Sequence, residues 1–239
     1  MIIIEVKNYK ELSKKASDLL INEIHRNPKL VIGLATGISF LGFYKNLVNA
    51  YKKKLVDFSK VKTFNLDEYH QIKRIDKRSF NYYMNNLFFN KVNIKKINIH
   101  MLNGEAKNPK KECLAYEKEI RKNPIDIQFL GVGINGHIGF NEPNSDIKSK
   151  TRLVKLTKST IKRNWLFMRR NIPDHALTIG IQDILKAKKI VLLASGKYKS
   201  LALSYLINKK INKQVPVSYL IKHKNLVIIA DKGALKNAK

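Results

Sequence analysis

The sequence predicts an α/β protein with a Rossmann-like, open, mainly parallel sheet and helices on both faces. Short apolar, β-branched runs recur along the 239 residues. Amphipathic stretches at helical spacing lie between most of them. Polar motifs follow four of the runs directly, at the strand ends where open parallel sheets bind ligands.

The elements follow in chain order. Ile2–Val6 reads as a first strand; Met-Ile-Ile-Ile-Glu-Val lacks the basic start and small-residue cleavage site of a signal peptide. Tyr9–Arg26 reads as a helix because Leu12, Ala16, Leu19, Leu20 and Ile24 fall on one face. Further strands are expected at Leu30–Leu34, Val61–Leu66, Ile97–Met101, Ile125–Leu130, Ala176–Ile181, Ile190–Ala194 and Leu226–Ala230. Helices are expected at Phe40–Lys54, Phe80–Asn90, Pro109–Lys122, Ser159–Arg170 and Lys199–Asn208. The polar segments 70–78 and 144–151 read as surface loops. With no internal repeat and no long linker, 1–239 is read as a single domain.

Composition narrows the function classes. The chain is 44% apolar, enough for a sizeable core. No run approaches 18 consecutive apolar residues, so no membrane span is expected. Cys113 is the one cysteine and has no internal disulfide partner. These features favour the cytoplasm. The net charge of +29 invites a nucleic-acid reading. Against it, only eight of the 47 basic residues are arginine, and the lysines are spread evenly with no basic block interleaved with aromatics. A solvated lysine surface is the better reading, and its field would attract anionic small substrates.

The densest motif runs from Gly131 to Pro143: Gly-Val-Gly-Ile-Asn-Gly-His-Ile-Gly-Phe-Asn-Glu-Pro. It follows an apolar strand and places Asn135, His137 and Glu142 within eight residues. His137 can shuttle a proton near neutral pH, and Glu142 can orient the imidazole or carry a proton itself. No His-x-x-x-His or cysteine cluster lies near it, which argues against a metal. Thr36-Gly37-Ile38-Ser39 leads from strand to helix and suits a phosphate at the helix N-terminus; the alternative is an ordinary Ser/Thr N-cap. Ser195-Gly196-Lys197-Tyr198-Lys199 repeats that layout, with Lys199 as a charge for phosphate or as a solvated lysine. Asn65-Leu66-Asp67-Glu68-Tyr69 sets two adjacent carboxylates past a strand. Adjacent side chains point oppositely in extended backbone, so only one of the pair enters a cleft. A partly desolvated carboxylate there suits a general base; an N-cap or a surface acid is the alternative.

Together these residues resemble the glucosamine-6-phosphate deaminase family, within the sugar-phosphate isomerase and lactonase-like superfamily. The likeness spans nearly the whole chain. It runs through Leu-Ala-Thr-Gly, Phe-Asn-Leu-Asp-Glu-Tyr, Ser79-Phe80 with Tyr83-Met84, Leu102-Asn-Gly-Glu-Ala, Gly-His-Ile-Gly-Phe-Asn-Glu-Pro, Ala176-Leu-Thr-Ile-Gly and Ser-Gly-Lys-x-Lys. The resemblance implies conversion of glucosamine 6-phosphate and water to fructose 6-phosphate and ammonia, with no metal or organic cofactor. His137 would assist ring opening, with Asn135 and Glu142 alongside, and Asp67 would carry the proton from C2 to C1. Thr36, Gly37, Ile38, Ser39 and Lys199 would hold the phosphate. A 6-phosphogluconolactonase-like enzyme, or a polyanion-binding protein on the same fold, is the alternative.

Departures from the family pattern mark this chain. Asn135 stands where many members have Asp. Gly-Ile-Ser-Phe replaces Gly-Gly-Thr-Pro in the phosphate loop. Leu166 stands where the family places a phosphate-binding arginine, so Arg163 or Arg169, on the same helix face, is expected to take that role. The C-terminal region, which longer members use in allosteric activation, is short. The sequence leaves monomer and homo-oligomer equally open.

Overall fold

Four helices are started by a side chain immediately before them. Asn8, Ser79, Asn108 and Asp231 sit in extended backbone, and each accepts a hydrogen bond from the backbone N–H three residues on. The computed structural model describes residues 1–168, 172–236 and 238, apart from the side chains of Arg163, Asn164 and 166–168. In chain order the elements are β1 (Ile2–Val6), α1 (Tyr9–Arg26), β2 (Val31–Leu34), α2 (Leu41–Lys52), β3 (Lys62–Asn65), β4 (Asp67–Tyr69), α3 (Phe80–Leu87), β5 (Ile99–His100) and α4 (Pro109–Lys122). They continue with β6 (Ile127–Gly131), β7 (Arg152–Lys155), α5 (Lys158–Met168), β8 (His175–Thr178), α6 (Ile181–Ile184), β9 (Lys189–Ala194), α7 (Ser200–Ile207), β10 (Leu226–Asp231) and α8 (Lys232–Leu235).

Seven strands form one sheet in the order β1-β10-β9-β6-β2-β3-β5, with every pair parallel. Residues 190–194 of β9 and all of β10 are buried, as expected for strands covered on both faces, while edge strand β1 is largely exposed. From β2 the chain works outward through β3 and β5. From β6 it works the other way, through β9 and β10. The strand order therefore reverses between β2 and β6, and such a reversal opens a crevice beyond the strands' C-terminal ends. Phe43 of α2 packs on Phe129 of β6 at 4.9 Å between ring centroids, which fixes the helix leaving the first crevice loop.

The expected strand Ala176–Ile181 is corrected in place and partner. It is β8, four residues long, and it joins β4 and β7 in a separate antiparallel sheet of order β4-β8-β7. An apolar run looks alike in a parallel core and in a small covering sheet, so its pattern does not name its partner. β4 and β7 escaped the sequence reading because they are three and four residues long and largely polar. A second apolar cluster, with Tyr69, Phe80 and Phe140 at its centre, fills the space under this sheet. The register Asp67↔Thr178 carries Asp67 inward to the crevice.

Candidate active site

Two loops on the crevice edge are built alike. After β2 the chain turns through Gly37 at φ 101°, and after β9 through Gly196 at φ 87°. Each then enters one tight helical turn (Ile38–Phe40 and Lys197–Lys199) before α2 or α7 begins. Neither start has a side-chain cap, so the ordinary N-cap alternative for Thr36 and Ser39 fails. An uncapped helical start offers its backbone N–H groups to an anion. Two tyrosines hold the first loop. The Tyr9 hydroxyl donates to Ile38 O at 2.9 Å and accepts from Gly42 N at 2.8 Å. The Tyr83 hydroxyl donates to Gly37 O at 3.2 Å. The second loop is tied to Asp231, which accepts from Gly196 N at 3.0 Å and from the Ser195 hydroxyl at 2.5 Å. Lys199 reaches across to donate to Val132 O, at the mouth of the glycine-rich loop.

That loop, after β6, presents His137. Gly133 lies so close beneath the ring that a Cβ there would come within 2.3 Å of His137 Cε1 and Nδ1. Asn135 Oδ1 sits 2.7 Å from His137 Nδ1 and accepts from the His137 backbone N–H at 3.2 Å. Its Nδ2 donates to Glu142 Oε2 at 2.9 Å. The carboxylate fixes which end of the amide faces the ring, because a flipped amide would set its oxygen against Glu142. An amide oxygen accepts only, so Nδ1 carries the ring hydrogen and a neutral His137 keeps Nε2 as its basic nitrogen. The Nδ1 to Glu142 Oε2 distance is 3.6 Å, so the carboxylate also supports an imidazolium when one forms.

The paired acids divide as alternation in an extended segment requires. Asp67 lines the crevice, and Glu68 turns away to accept backbone N–H groups of Tyr69, Phe80 and Asn81 at 2.7–2.9 Å. Glu68 thereby anchors the start of α3, the helix that carries Tyr83. Burial, and then the Glu68 charge, push the Asp67 carboxyl up to about 8. Burial pushes Glu68 up to about 7 against those three N–H groups, which favour its charged form. Asn65 is buried and does not line the crevice. A Cβ on Gly139 would lie 3.4 Å from Asp67 Oδ2, so the carboxylate sits against the histidine loop.

One cavity of about 690 Å³ thus collects Thr36, Gly37, Ile38, Ser39, Asp67, His137 and Lys199. Asn135 and Glu142 stand behind His137 instead of lining it. Arg163 belongs to α5, but its side chain lies outside the described residues, as does the whole of Arg169. Among the described residues no group of three His, Cys, Asp or Glu side chains could hold a metal ion. No described helix is long and apolar enough to cross a membrane.

Sequence reasoning passed over three contributors. Tyr9 and Tyr83 brace the Thr36–Ser39 loop, and Thr160 donates to Glu142 Oε1. Tyr83 lies inside one of the motifs that carry the family resemblance. Tyr9 and Thr160 act across 29 and 18 residues of chain and leave no local pattern.

Known proteins resemble the chain over nearly its whole length. A family model described as glucosamine-6-phosphate isomerases/6-phosphogluconolactonase matches residues 7–229. Glucosamine-6-phosphate deaminase of Clostridium botulinum (strain Langeland / NCTC 10281 / Type F) is 48% identical over 242 residues, covering 100% of this chain and 99% of the relative. That of Clostridium novyi (strain NT) is 46% identical over 237 residues, covering 98% of each. The structure of a monomeric glucosamine-6-phosphate deaminase superposes with a TM-score of 0.95 at 36% identity, covering 99% of this chain and 100% of that one. The 6-phosphogluconolactonase of Trypanosoma brucei shares the fold alone, with a TM-score of 0.80 at 17% identity over 99% of this chain and 98% of that one. The chain belongs to the family of glucosamine-6-phosphate isomerases and 6-phosphogluconolactonases.

Proposed function

We propose that this protein converts glucosamine 6-phosphate and water to fructose 6-phosphate and ammonia. The observation that carries the reading is a buried carboxylate, Asp67, against the loop of a histidine whose basic nitrogen is Nε2, in one cavity with two uncapped helical starts.

The phosphate sits at the Thr36–Ser39 turn, with the loop amides, the Ser39 hydroxyl and the Lys199 ammonium as its partners. Arg163, which belongs to α5, or Arg169 adds a further contact. His137 moves a proton between the anomeric hydroxyl and the ring oxygen, which breaks the C1–O5 bond and opens the sugar. Asn135 holds the ring tautomer, and Glu142 steadies the transient imidazolium. Asp67 then takes the C2 proton while the C2 ammonium passes a proton to O1, giving an enolamine, and Asp67 returns its proton to C1. The resulting C2 imine adds water and releases ammonia, leaving the ketone. A positioned base of this kind contributes roughly 10²–10⁴ in rate. The substrate ammonium on C2 favours the ionised form of Asp67, offsetting the burial that holds its proton. No step calls on a metal or an organic cofactor.

The chain acts as one catalytic domain in the amino-sugar catabolism of the cytoplasm, including the breakdown of N-acetylglucosamine. Its partner is the small-molecule substrate, not nucleic acid. The decisive measurement is ammonia release from glucosamine 6-phosphate by the wild type and by Asp67→Asn. A silent wild type overturns the reading. A fully active variant removes Asp67 from its role. Hydrolysis of 6-phosphogluconolactone has no C2-to-C1 transfer, so activity on the lactone alone would favour that alternative.

A further inference from the structure

Glu142 is held by donors from two parts of the chain. Asn135, in its own loop, donates to Oε2 at 2.9 Å. Thr160, in the first turn of α5, donates to Oε1 through a short hydrogen bond. Glu142 and Thr160 are both buried, at 8% and 4% exposure, so little water competes for this contact. A threonine hydroxyl inside a helix ordinarily bonds the carbonyl three or four residues back. Here it is spent on a carboxylate instead. The turn itself is started by Thr157, whose hydroxyl accepts from Thr160 N at 3.3 Å and whose carbonyl accepts from Ile161 N at 3.0 Å.

We propose that Thr160 is a positioning residue for the proton relay, coupling the seating of α5 to the state of His137. The inference rests on the deaminase reading for its kinetic consequence. A glutamate carboxylate turns easily about its last torsion. With Oε1 held by Thr160, Oε2 is fixed toward Asn135 and the His137 ring. Asn135 in turn takes its amide orientation from Oε2, and His137 takes its Nδ1–H tautomer from Asn135 Oδ1. Without the Thr160 hydroxyl, the carboxylate can turn away from Asn135 Nδ2; the His137 backbone N–H at 3.2 Å is then the remaining hold on Oδ1, and in the part of the population where the amide flips an N–H faces Nδ1. That ring must hold its hydrogen on Nε2 and lacks the base that opens the sugar. The line Thr160–Glu142–Asn135–His137 is therefore complete only when the first turn of α5 is docked.

The test compares the wild type with Thr160→Ser and Thr160→Val. Serine keeps the donor, so its kcat for ammonia release stays within about threefold. Valine keeps the volume and loses the donor, so kcat falls on the order of 10- to 100-fold with KM within about twofold. A valine variant with unchanged kcat, or a serine variant as impaired as valine, overturns the proposal. If Thr160→Val fails to fold, Thr160→Ala serves with the same expectations. The ring ¹⁵N shifts of His137 read the relay without substrate: Nδ1–H in the wild type and in Thr160→Ser, a mixture of tautomers in Thr160→Val. Identical spectra in all three overturn the proposal. A wild type with the expected shifts and no ammonia release overturns the deaminase reading alone.

Discussion

Asn135 donates through Nδ2 to Glu142 Oε2 at 2.9 Å, so the side chain that faces His137 is itself oriented by a carboxylate. Asn135→Asp deletes that donor and sets a second carboxylate against Glu142. Like charges favour retention of a proton, and the added charge beside the ring favours the imidazolium. The kcat profile against pH is expected to move to higher pH, with activity retained. Asn135→Ala removes both contacts and lowers kcat on the order of tenfold or more at every pH. Superimposable wild-type and Asn135→Asp profiles would contradict this account.

Asp67 makes opposite contributions to catalysis and to stability. Its folded carboxyl is pushed up to about 8, while an unfolded aspartate titrates near 3.9. Between these values the folded state binds more protons than the unfolded one, so stability falls as pH rises through that window. Asp67→Asn removes this cost. Its melting temperature relative to wild type should rise between pH 5 and pH 8, by roughly 2–4 °C for each kcal/mol relieved. Its kcat should fall about 10²-fold or more. Thermal melts at the two pH values check the first expectation; a difference independent of pH would show that the carboxyl is not held protonated by burial.

The Thr36–Ser39 loop, where the phosphate is proposed to sit, is braced by Tyr83 and Tyr9 through its backbone carbonyls. Phenylalanine at Tyr83 loses one hydrogen bond and at Tyr9 loses two, each worth about 0.5–1.5 kcal/mol. Because the brace shapes binding and not chemistry, KM for glucosamine 6-phosphate should rise roughly two- to tenfold with kcat unchanged. Initial rates across substrate concentration separate the two parameters.

Two glycines should fail for different reasons. Gly37 has φ 101° and no atom within 4 Å of an added Cβ, so Gly37→Ala costs backbone strain alone. That cost is about 1–3 kcal/mol, read as a lower melting temperature together with a higher KM. A Cβ at Gly133 would strike the His137 ring, so Gly133→Ala should lower kcat about 100-fold through displacement of the base. Steady-state kinetics and melts on both variants distinguish strain from clash.

Much of this arrangement was legible in the residues. The amphipathic face of Tyr9–Arg26 matches α1 over its full length, because helical period is a local property. The strands of the parallel sheet fell within two residues of their observed ends, and the crevice loops sit where apolar runs give way to glycine. Ala176–Ile181 was legible as a strand but not as a member of the second sheet, since pairing partners come from elsewhere in the chain. Thr160 was illegible as a partner of Glu142, because a threonine in a helical turn gives no sign of what its hydroxyl meets.

The sequence by itself determined the alternation of strand and helix, the glycine turns that open the Thr36–Ser39 and Ser195–Lys199 loops, and the grouping of Asn135, His137 and Glu142. Each depends on spacing along a few residues. Tertiary structure decided that Asp67 and not Glu68 enters the crevice, that burial holds its proton to about 8, and that α5 reaches back to Glu142. These depend on which distant segments exclude water from a carboxylate or lend it a donor. Desolvation and long-range hydrogen bonding are set by packing, not by neighbours in the chain.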